Sequence, residues 1–199
     1  MVGRDSLQRL FPFLIAGCVV LAIILILKRD PEPALSEEPP DKETPAMDVH
    51  ELVQLAGRWR GTNRLHDPHT PAPEETPSTL ILRAMPGEQI VRIEQEWSYQ
   101  GAKQEGLLLI IAGYPGRASL HWIDTWHQPT TLMFLEQDQK TADRFTFLGS
   151  YPAPTGPDWG WRVELKYDPA GTLRLDMFNV SPDRKSTPAV EATYTREKS

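Results

Sequence analysis

The segment 118–126 combines the side chains best suited to chemistry. In an extended strand, successive side chains point to opposite faces, so every second residue shares a face. One face of this segment carries Leu120, Trp122, Asp124 and Trp126. We expect this tryptophan-bearing face to point inward, which places a carboxylate in the interior. Because a buried carboxylate must be paired or protonated, Asp124 is predicted either to meet an arginine or backbone amides and organise the core, or to orient the polar group of a ligand.

Two more alternating segments place polar or aromatic side chains on an inward face. Residues 89–99 carry Gln95 and Trp97 on an otherwise apolar face, and residues 159–167 carry Trp161 on theirs. Asn179 is a similar polar candidate. All six tryptophans of the chain follow residue 58, which is ample material for an aromatic-lined cavity. The predicted cavity-lining, ligand-binding residues are Gln95, Trp97, Trp122, Asp124, Trp126 and Trp161.

Histidine and cysteine spacing predicts no metal site and no resident cofactor. His121 and His127 are six residues apart in the predicted strand, which separates them by roughly 20 Å. His66, Asp67 and His69 are close in sequence, but a proline-rich loop supplies poor ligand geometry. Cys18 is the only cysteine. Axial ligation of haem by a single histidine stays open.

Known catalytic motifs are missing from the sequence. It contains no Gly-x-Ser-x-Gly elbow, no P-loop and no Rossmann glycine pattern. Glu94 and Glu96 share a predicted face with Arg92, which reads as a solvent face rather than an acid–base pair. No catalytic residues are predicted, and whether the domain is an enzyme is left open.

The elements that would position these residues are one short helix and about ten strands. Val49, Leu52, Val53 and Ala56 repeat at helical spacing, with Asp48 as N-cap. Beyond Gly57 the hydrophobic period becomes two. The sequence Asp168-Pro169-Ala170-Gly171 predicts a hairpin turn between two strands. The predicted strands cover residues 58–64, 79–84, 89–99, 105–112, 118–126, 131–137, 144–150, 159–167, 172–180 and 189–196.

This pattern predicts an all-β fold, an up-and-down antiparallel β-barrel. Ten short strands in one meandering sheet would leave exposed edges unless the sheet closes on itself. A β-sandwich is the alternative. The segment 66–77, rich in proline, is predicted as a long loop between the first two strands.

Four short motifs follow one another along residues 55–196: Leu55-Ala56-Gly57-Arg58-Trp59-Arg60-Gly61, Glu105-Gly106, Trp122-Ile123-Asp124 and Thr193-Tyr194-Thr195-Arg196. In this order they resemble the calycin-like domains, the lipocalin and fatty-acid-binding-protein group, and in particular a bacterial family of unknown function within it. The resemblance implies a barrel with an internal cavity and no assigned activity. It also implies a structural role for Trp59, packed across the closed end of the barrel, with Arg196 of the last strand stacked on its indole.

The N-terminal part of the sequence predicts a membrane anchor. Residues 11–27 contain no charged or amide side chain, and basic residues flank them on both sides. At helical rise they span about 25 Å, enough for a single pass with snorkelling flanks. We therefore predict a tail over residues 1–9, a transmembrane helix over 10–29 and an acidic, proline-rich linker over 30–48. A cleaved signal peptide, or a lipoprotein signal ending at Cys18, is the alternative.

The predicted domain, residues 49–199, has sixteen basic and nineteen acidic side chains and no basic cluster interleaved with aromatics. That balance argues against nucleic acid as a partner. The sequence favours a membrane-anchored barrel that binds a small apolar or amphiphilic ligand, in the inner membrane with the domain on the periplasmic side. A non-catalytic envelope scaffold with a side-chain-filled barrel is the alternative.

Overall fold

The computed structural model describes residues 49–113, 117–138 and 145–198. Within these ranges, no helix is long and apolar enough to cross a membrane. The predicted anchor, the acidic linker and the Asp48 N-cap lie outside the described residues.

One short helix precedes ten strands, as the sequence predicts. The helix α1 spans Val49–Val53. The strands are β1 (Gly57–Leu65), β2 (Glu74–Ala84), β3 (Ile90–Tyr99), β4 (Ala102–Ala112), β5 (Ala118–Asp124), β6 (Met133–Gln137), β7 (Thr146–Tyr151), β8 (Trp159–Asp168), β9 (Thr172–Val180) and β10 (Ser186–Arg196).

The ten strands form a closed, up-and-down antiparallel barrel, which confirms the predicted fold. Each strand pairs with its neighbours in sequence, and β1 pairs with β10 to close the sheet. In the closing pair, Trp59 lies opposite Arg196 and Leu65 lies opposite Val190. Closure leaves no edge strand along which another chain could add.

Helix α1 and the start of β1 lie at one end of the barrel. Leu52 is fully buried against the core, and Trp59 donates its indole N–H to the carbonyl of Leu55 at 3.0 Å. The guanidinium of Arg196 lies 5.0 Å from the Trp59 ring centroid and donates to the carbonyl of Gln54 at 2.9 Å. These contacts tie the first and last strands to the helix at this end.

Alternation of buried and exposed residues fills the interior with side chains. The described members of the core all lie between Val49 and Tyr194, within the compact unit 43–199 that also holds the ten described strands, so this unit is expected to fold by itself. The largest fully buried side chains are Trp59, Trp122, Tyr194, Phe147, Leu52, Leu65, Leu80, Leu82, Ile93, Leu108, Ile110 and Leu120.

Several predicted strand boundaries differ from the structure by two residues or more, among them the starts of β4 and β10, and two of the differences affect the loops near the candidate site. Strand β2 begins at Glu74, so the loop before it covers residues 66–73 rather than 66–77; residues 74–77 pair with the end of β1 instead. Strand β5 ends at Asp124 rather than at residue 126. His127 therefore does not share the outer face of β5 with His121, because the chain turns before it.

Candidate functional site

The end of the barrel opposite α1 is lined by aromatic side chains, and we call it the aromatic end. Strand β1 runs away from α1, and the later strands alternate in direction, so the last residues of β3 and β5 and the first of β8 meet there. The ring centroids of Trp122 and Trp161 lie 5.0 Å apart, and those of Tyr99 and Trp126 lie 5.5 Å apart. The rings that define this end are Trp97, Tyr99, Trp122, Trp126, Tyr151 and Trp161.

Asp124 reverses the chain at the end of β5. Its Oδ1 accepts hydrogen bonds from the backbone N–H groups of Trp126, His127 and Gln128. A carboxylate that gathers three successive amides enforces a tight turn, the same chemistry that caps a helix. Strand pairing consequently stops at Asp124, and His127 is folded back toward it.

The second carboxylate oxygen of Asp124 holds the ring of His127. Oδ2 lies 2.7 Å from His127 Nδ1, and both side chains are at most 5% exposed. When the ring is uncharged, this contact requires the proton on Nδ1 and leaves Nε2 as an acceptor. Burial alone would raise the pKa of Asp124, but its hydrogen bonds with His127 and with the backbone amides hold that pKa below its ordinary value.

Three indoles enclose the His127 ring. Its centroid lies 4.4 Å from Trp126, 5.3 Å from Trp161 and 5.4 Å from Trp122. Three indoles around one imidazole form a largely apolar enclosure in which a polar group held by His127 would be shielded from water.

A second polar cluster lies nearby and centres on Tyr194. The Gln95 amide donates to the Tyr194 hydroxyl at 2.8 Å and to Asn63 Oδ1 at 3.1 Å. The Ser78 hydroxyl lies 3.0 Å from the same phenol. Burial raises the pKa of Tyr194 well above its ordinary value, and the two hydrogen bonds only partly oppose this. The phenol therefore stays neutral.

Three polar atoms at or near the aromatic end are buried and have no hydrogen-bond partner among the described residues. They are His127 Nε2, Trp97 Nε1 and Asn63 Nδ2. The Trp97 ring is linked to the His127 group through Gly106: a Cβ placed on Gly106 would lie 3.3 Å from the Trp97 ring and 3.4 Å from the Cβ of Asp124. One acceptor and two donors thus lack partners in one region of the interior.

The structure brings the six predicted cavity residues into this one region. Trp122, Asp124, Trp126 and Trp161 surround His127, and Trp97 and Gln95 follow on β3. Asn179 accepts a hydrogen bond from the Tyr151 hydroxyl at 3.0 Å. Sequence reasoning missed Asn63 and Tyr194 as polar members of the interior, although both sit at inward positions of predicted strands.

His66 and His69, in the loop between β1 and β2, contact other residues and not the His127 site. His66 Nε2 lies 2.6 Å from the carboxylate of Glu191, and Asp67 accepts hydrogen bonds from the Tyr99 hydroxyl and the backbone N–H of His69. In the ranges that the structure describes, no three His, Cys, Asp or Glu side chains are grouped to hold a metal ion.

Several grooves lie along the described part of the barrel. One, of 790 Å³, lies along β2 to β5 and is lined by apolar Ile81, Leu107 and Ile123, by charged residues that include Arg83 and Glu94, and by Gln95 and Asp124 of the candidate site. Another, of 570 Å³, lies between β6 and β7.

Comparisons with known proteins identify the family. No curated protein matches the chain. Two solved structures align over most of it with low similarity: Rv2717c from M. tuberculosis has 15% identity and a TM-score of 0.47, over 75% of this chain and 97% of that one. The S-type phycobiliprotein lyase CPES from Guillardia theta has 15% identity and a TM-score of 0.46, over 80% and 99%. Residues 44–196 match the family model described as "Protein of unknown function (DUF1579)", and the chain belongs to this family.

Proposed function

We propose that the domain binds a small amphiphilic molecule at the aromatic end of the barrel. The observation that carries the proposal is His127 Nε2, a buried acceptor without a partner, held in place by Asp124 and enclosed by three indoles. Leaving a buried polar group unpaired costs about 1–3 kcal/mol. A ligand that supplies the partner recovers this free energy, while the rings bury its apolar part.

The hydrogen-bonding character of the site favours an uncharged head group. His127 Nε2 needs a donor, whereas Trp97 Nε1 and Asn63 Nδ2 need an acceptor. A hydroxyl or an amide supplies both kinds of partner. A carboxylate offers acceptors only and adds a second negative charge beside Asp124, so it is disfavoured. We therefore propose long-chain or isoprenoid alcohols and amides as the ligand class.

Binding should be visible in the emission of the six tryptophans. We expect dodecanol to shift or quench the emission of the fragment 43–199 in a saturable way, and to bind at least tenfold more tightly than dodecanoate at neutral pH. The measurement is a fluorescence titration of both compounds, extended to haem and isoprenoids. Emission that stays unchanged across the whole panel would remove the ligand-binding proposal.

A second candidate function is a scaffold whose barrel is filled by its own side chains. The observation in its favour is the density of large buried residues, from Leu82 near the α1 end to Tyr194 further along the interior. Such a domain would act through its outer surface. Cross-linking in cells should then recover a specific neighbour, and the fluorescence titration should stay flat.

We also propose that residues 10–29 hold the domain at the inner membrane, with the domain outside the cytoplasm. The uninterrupted apolar run over residues 11–27 supports this. The full chain is expected to stay in the membrane pellet after an alkaline carbonate wash, whereas the fragment 43–199 is expected in the supernatant. A full chain that washes off would contradict the anchor.

A further inference from the structure

The ladder between β6 and β7 is the shortest of the barrel among the described residues. These strands pair at Glu136 with Leu148 and at Gln137 with Phe147, and the Asp138 N–H donates to the Thr146 carbonyl, whereas β7 and β8 pair over six positions. Toward the aromatic end a groove of 570 Å³, which we call the seam groove, lies between β6, the residues before it and the end of β7.

Local sequence explains why pairing stops there. The carbonyl oxygen of Phe134 approaches Gly149 so closely that a Cβ at Gly149 would lie 2.5 Å from it. Two residues after Gly149, β7 ends at Tyr151. Pro152 follows, and it has no N–H to donate to a strand ladder. Strand β6 does not begin until Met133, so the two residues before it pair with neither neighbour.

The seam groove is bordered by exposed apolar side chains. Leu132 is 56% exposed, Phe134 49% and Leu148 41%, and all three line it. Three large apolar side chains around one groove mark a surface that contacts something apolar. Glu136 is the one charged side chain of the lining, whereas the larger groove on β2 to β5 is lined by Arg83 and several glutamates.

The inner wall of the seam groove is shared with the aromatic end. Tyr151 lines the groove, and its ring lies 6.4 Å from Trp161, which in turn contacts His127. Met133 lines the groove and is only 5% exposed. Gln128, another lining residue, directly follows His127 in the chain. The groove and the His127 site are therefore neighbouring parts of one region.

We propose that the seam groove holds the apolar tail of the ligand whose head group meets His127. This inference rests on the proposed function and specifies the shape of the ligand. The ligand would have a single aliphatic chain that passes from the aromatic end between β6 and β7 into the seam groove. The volume of the groove falls within the roughly 300–1,000 Å³ of small-molecule sites. Its apolar lining and its continuity with the aromatic end favour a tail over a charged peptide.

Filling the groove tests the inference. Ser150 is exposed and lines the groove, so Ser150→Trp places a large ring where the tail would lie. In the unmodified fragment 43–199, affinity should rise steeply from hexanol to dodecanol. In Ser150→Trp we expect dodecanol binding to weaken at least tenfold while hexanol binding stays within twofold. Thr193→Trp, at an exposed position on β10, is the matched control and should leave both affinities unchanged.

Each outcome is informative. If Ser150→Trp binds both alcohols as the unmodified fragment does, the tail lies elsewhere and this inference fails while the proposed function stands. If the unmodified fragment binds neither alcohol, both fail together. If Ser150→Trp instead converts a dimer into a monomer in sedimentation, without changing chain-length dependence, the seam is an interface between copies and the tail site is wrong.

Discussion

Replacing Gly61 by alanine is expected to lower the free energy of unfolding by more than about 3 kcal/mol, or to prevent folding altogether. A Cβ at this position would overlap the carbonyl oxygen of Thr193 and would lie 2.7 Å from its carbonyl carbon and 2.8 Å from the Cα of Tyr194. All three atoms belong to the backbone of β10, so no side-chain rotation can relieve the clash. The barrel closes through this pair of strands, and the strain would act on closure itself.

Chemical denaturation of the fragment 43–199 measures this effect. Thr62→Ala is the matched control, because Thr62 is the next residue on the same strand and is exposed. Its replacement should change stability by about 0.5 kcal/mol or less. Equal midpoints for the two variants would mean that β1 and β10 do not approach as closely at Gly61 as the structure has them.

The barrel could be predicted because period-two burial is strong in several strands. Residues 91–98 and 160–166 alternate as the sequence indicated, with Ile93 and Val163 buried between more exposed neighbours, whereas Trp159 and Tyr167 at the ends of β8 are exposed and not inward as the pattern predicted. The hairpin also follows its local chemistry: Gly171 adopts a φ of 95°, and its N–H donates to the carbonyl of Asp168 at 2.8 Å. Local preference and tertiary structure agree at these positions, so sequence alone suffices.

The start of β2 could not be predicted, because tertiary pairing overrides composition there. Glu74, Glu75 and Pro77 are typical of a loop. They nevertheless extend the strand, since the end of β1 offers partners up to Leu65, which lies opposite Glu74. The local pattern of residues 74–77 contains no information about these pairing partners, so an argument from strand propensity misses this part of β2.

His127 was missed at the candidate site for a related reason. A period-two pattern continued past Asp124 puts His127 on the outer face, whereas the three amides collected by the Asp124 carboxylate turn the chain and bring the imidazole back. The sequence did indicate an inward carboxylate and its tryptophans. It did not contain a signal for the groove between β6 and β7, which depends on where their pairing stops.

Changing Asp124 to asparagine is expected to reduce the preference for dodecanol over dodecanoate from at least tenfold to about twofold or less, because it reverses the hydrogen-bonding character of His127 and a carboxylate can accept from an Nε2 donor. The position that accepts three backbone N–H groups requires an oxygen, so the new amide would present its NH₂ to His127 Nδ1. An NH₂ group donates, so Nδ1 must accept and the ring proton moves to Nε2. The buried atom that faced the ligand as an acceptor would become a donor.

The nitrogen chemical shifts of the His127 imidazole report this tautomer directly, and a purely structural role for Asp124 would not move the proton. Asp168→Asn, in an exposed turn, is the control and should leave both tautomer and binding unchanged. A switched tautomer with an unchanged preference for dodecanol over dodecanoate in Asp124→Asn would contradict the assignment of Nε2 as the ligand contact.

The pH dependence of the free energy of unfolding tests the role of Asp124 independently. Because the pKa of Asp124 is lowered in the folded state, its ionised form stabilises the fold at every pH above the ordinary value of 3.8, and this contribution is lost as the pH falls through the lowered pKa. Asp124→Asn lacks the contribution throughout. The stability difference between the two proteins should therefore be largest near neutral pH and should narrow below about pH 3.8.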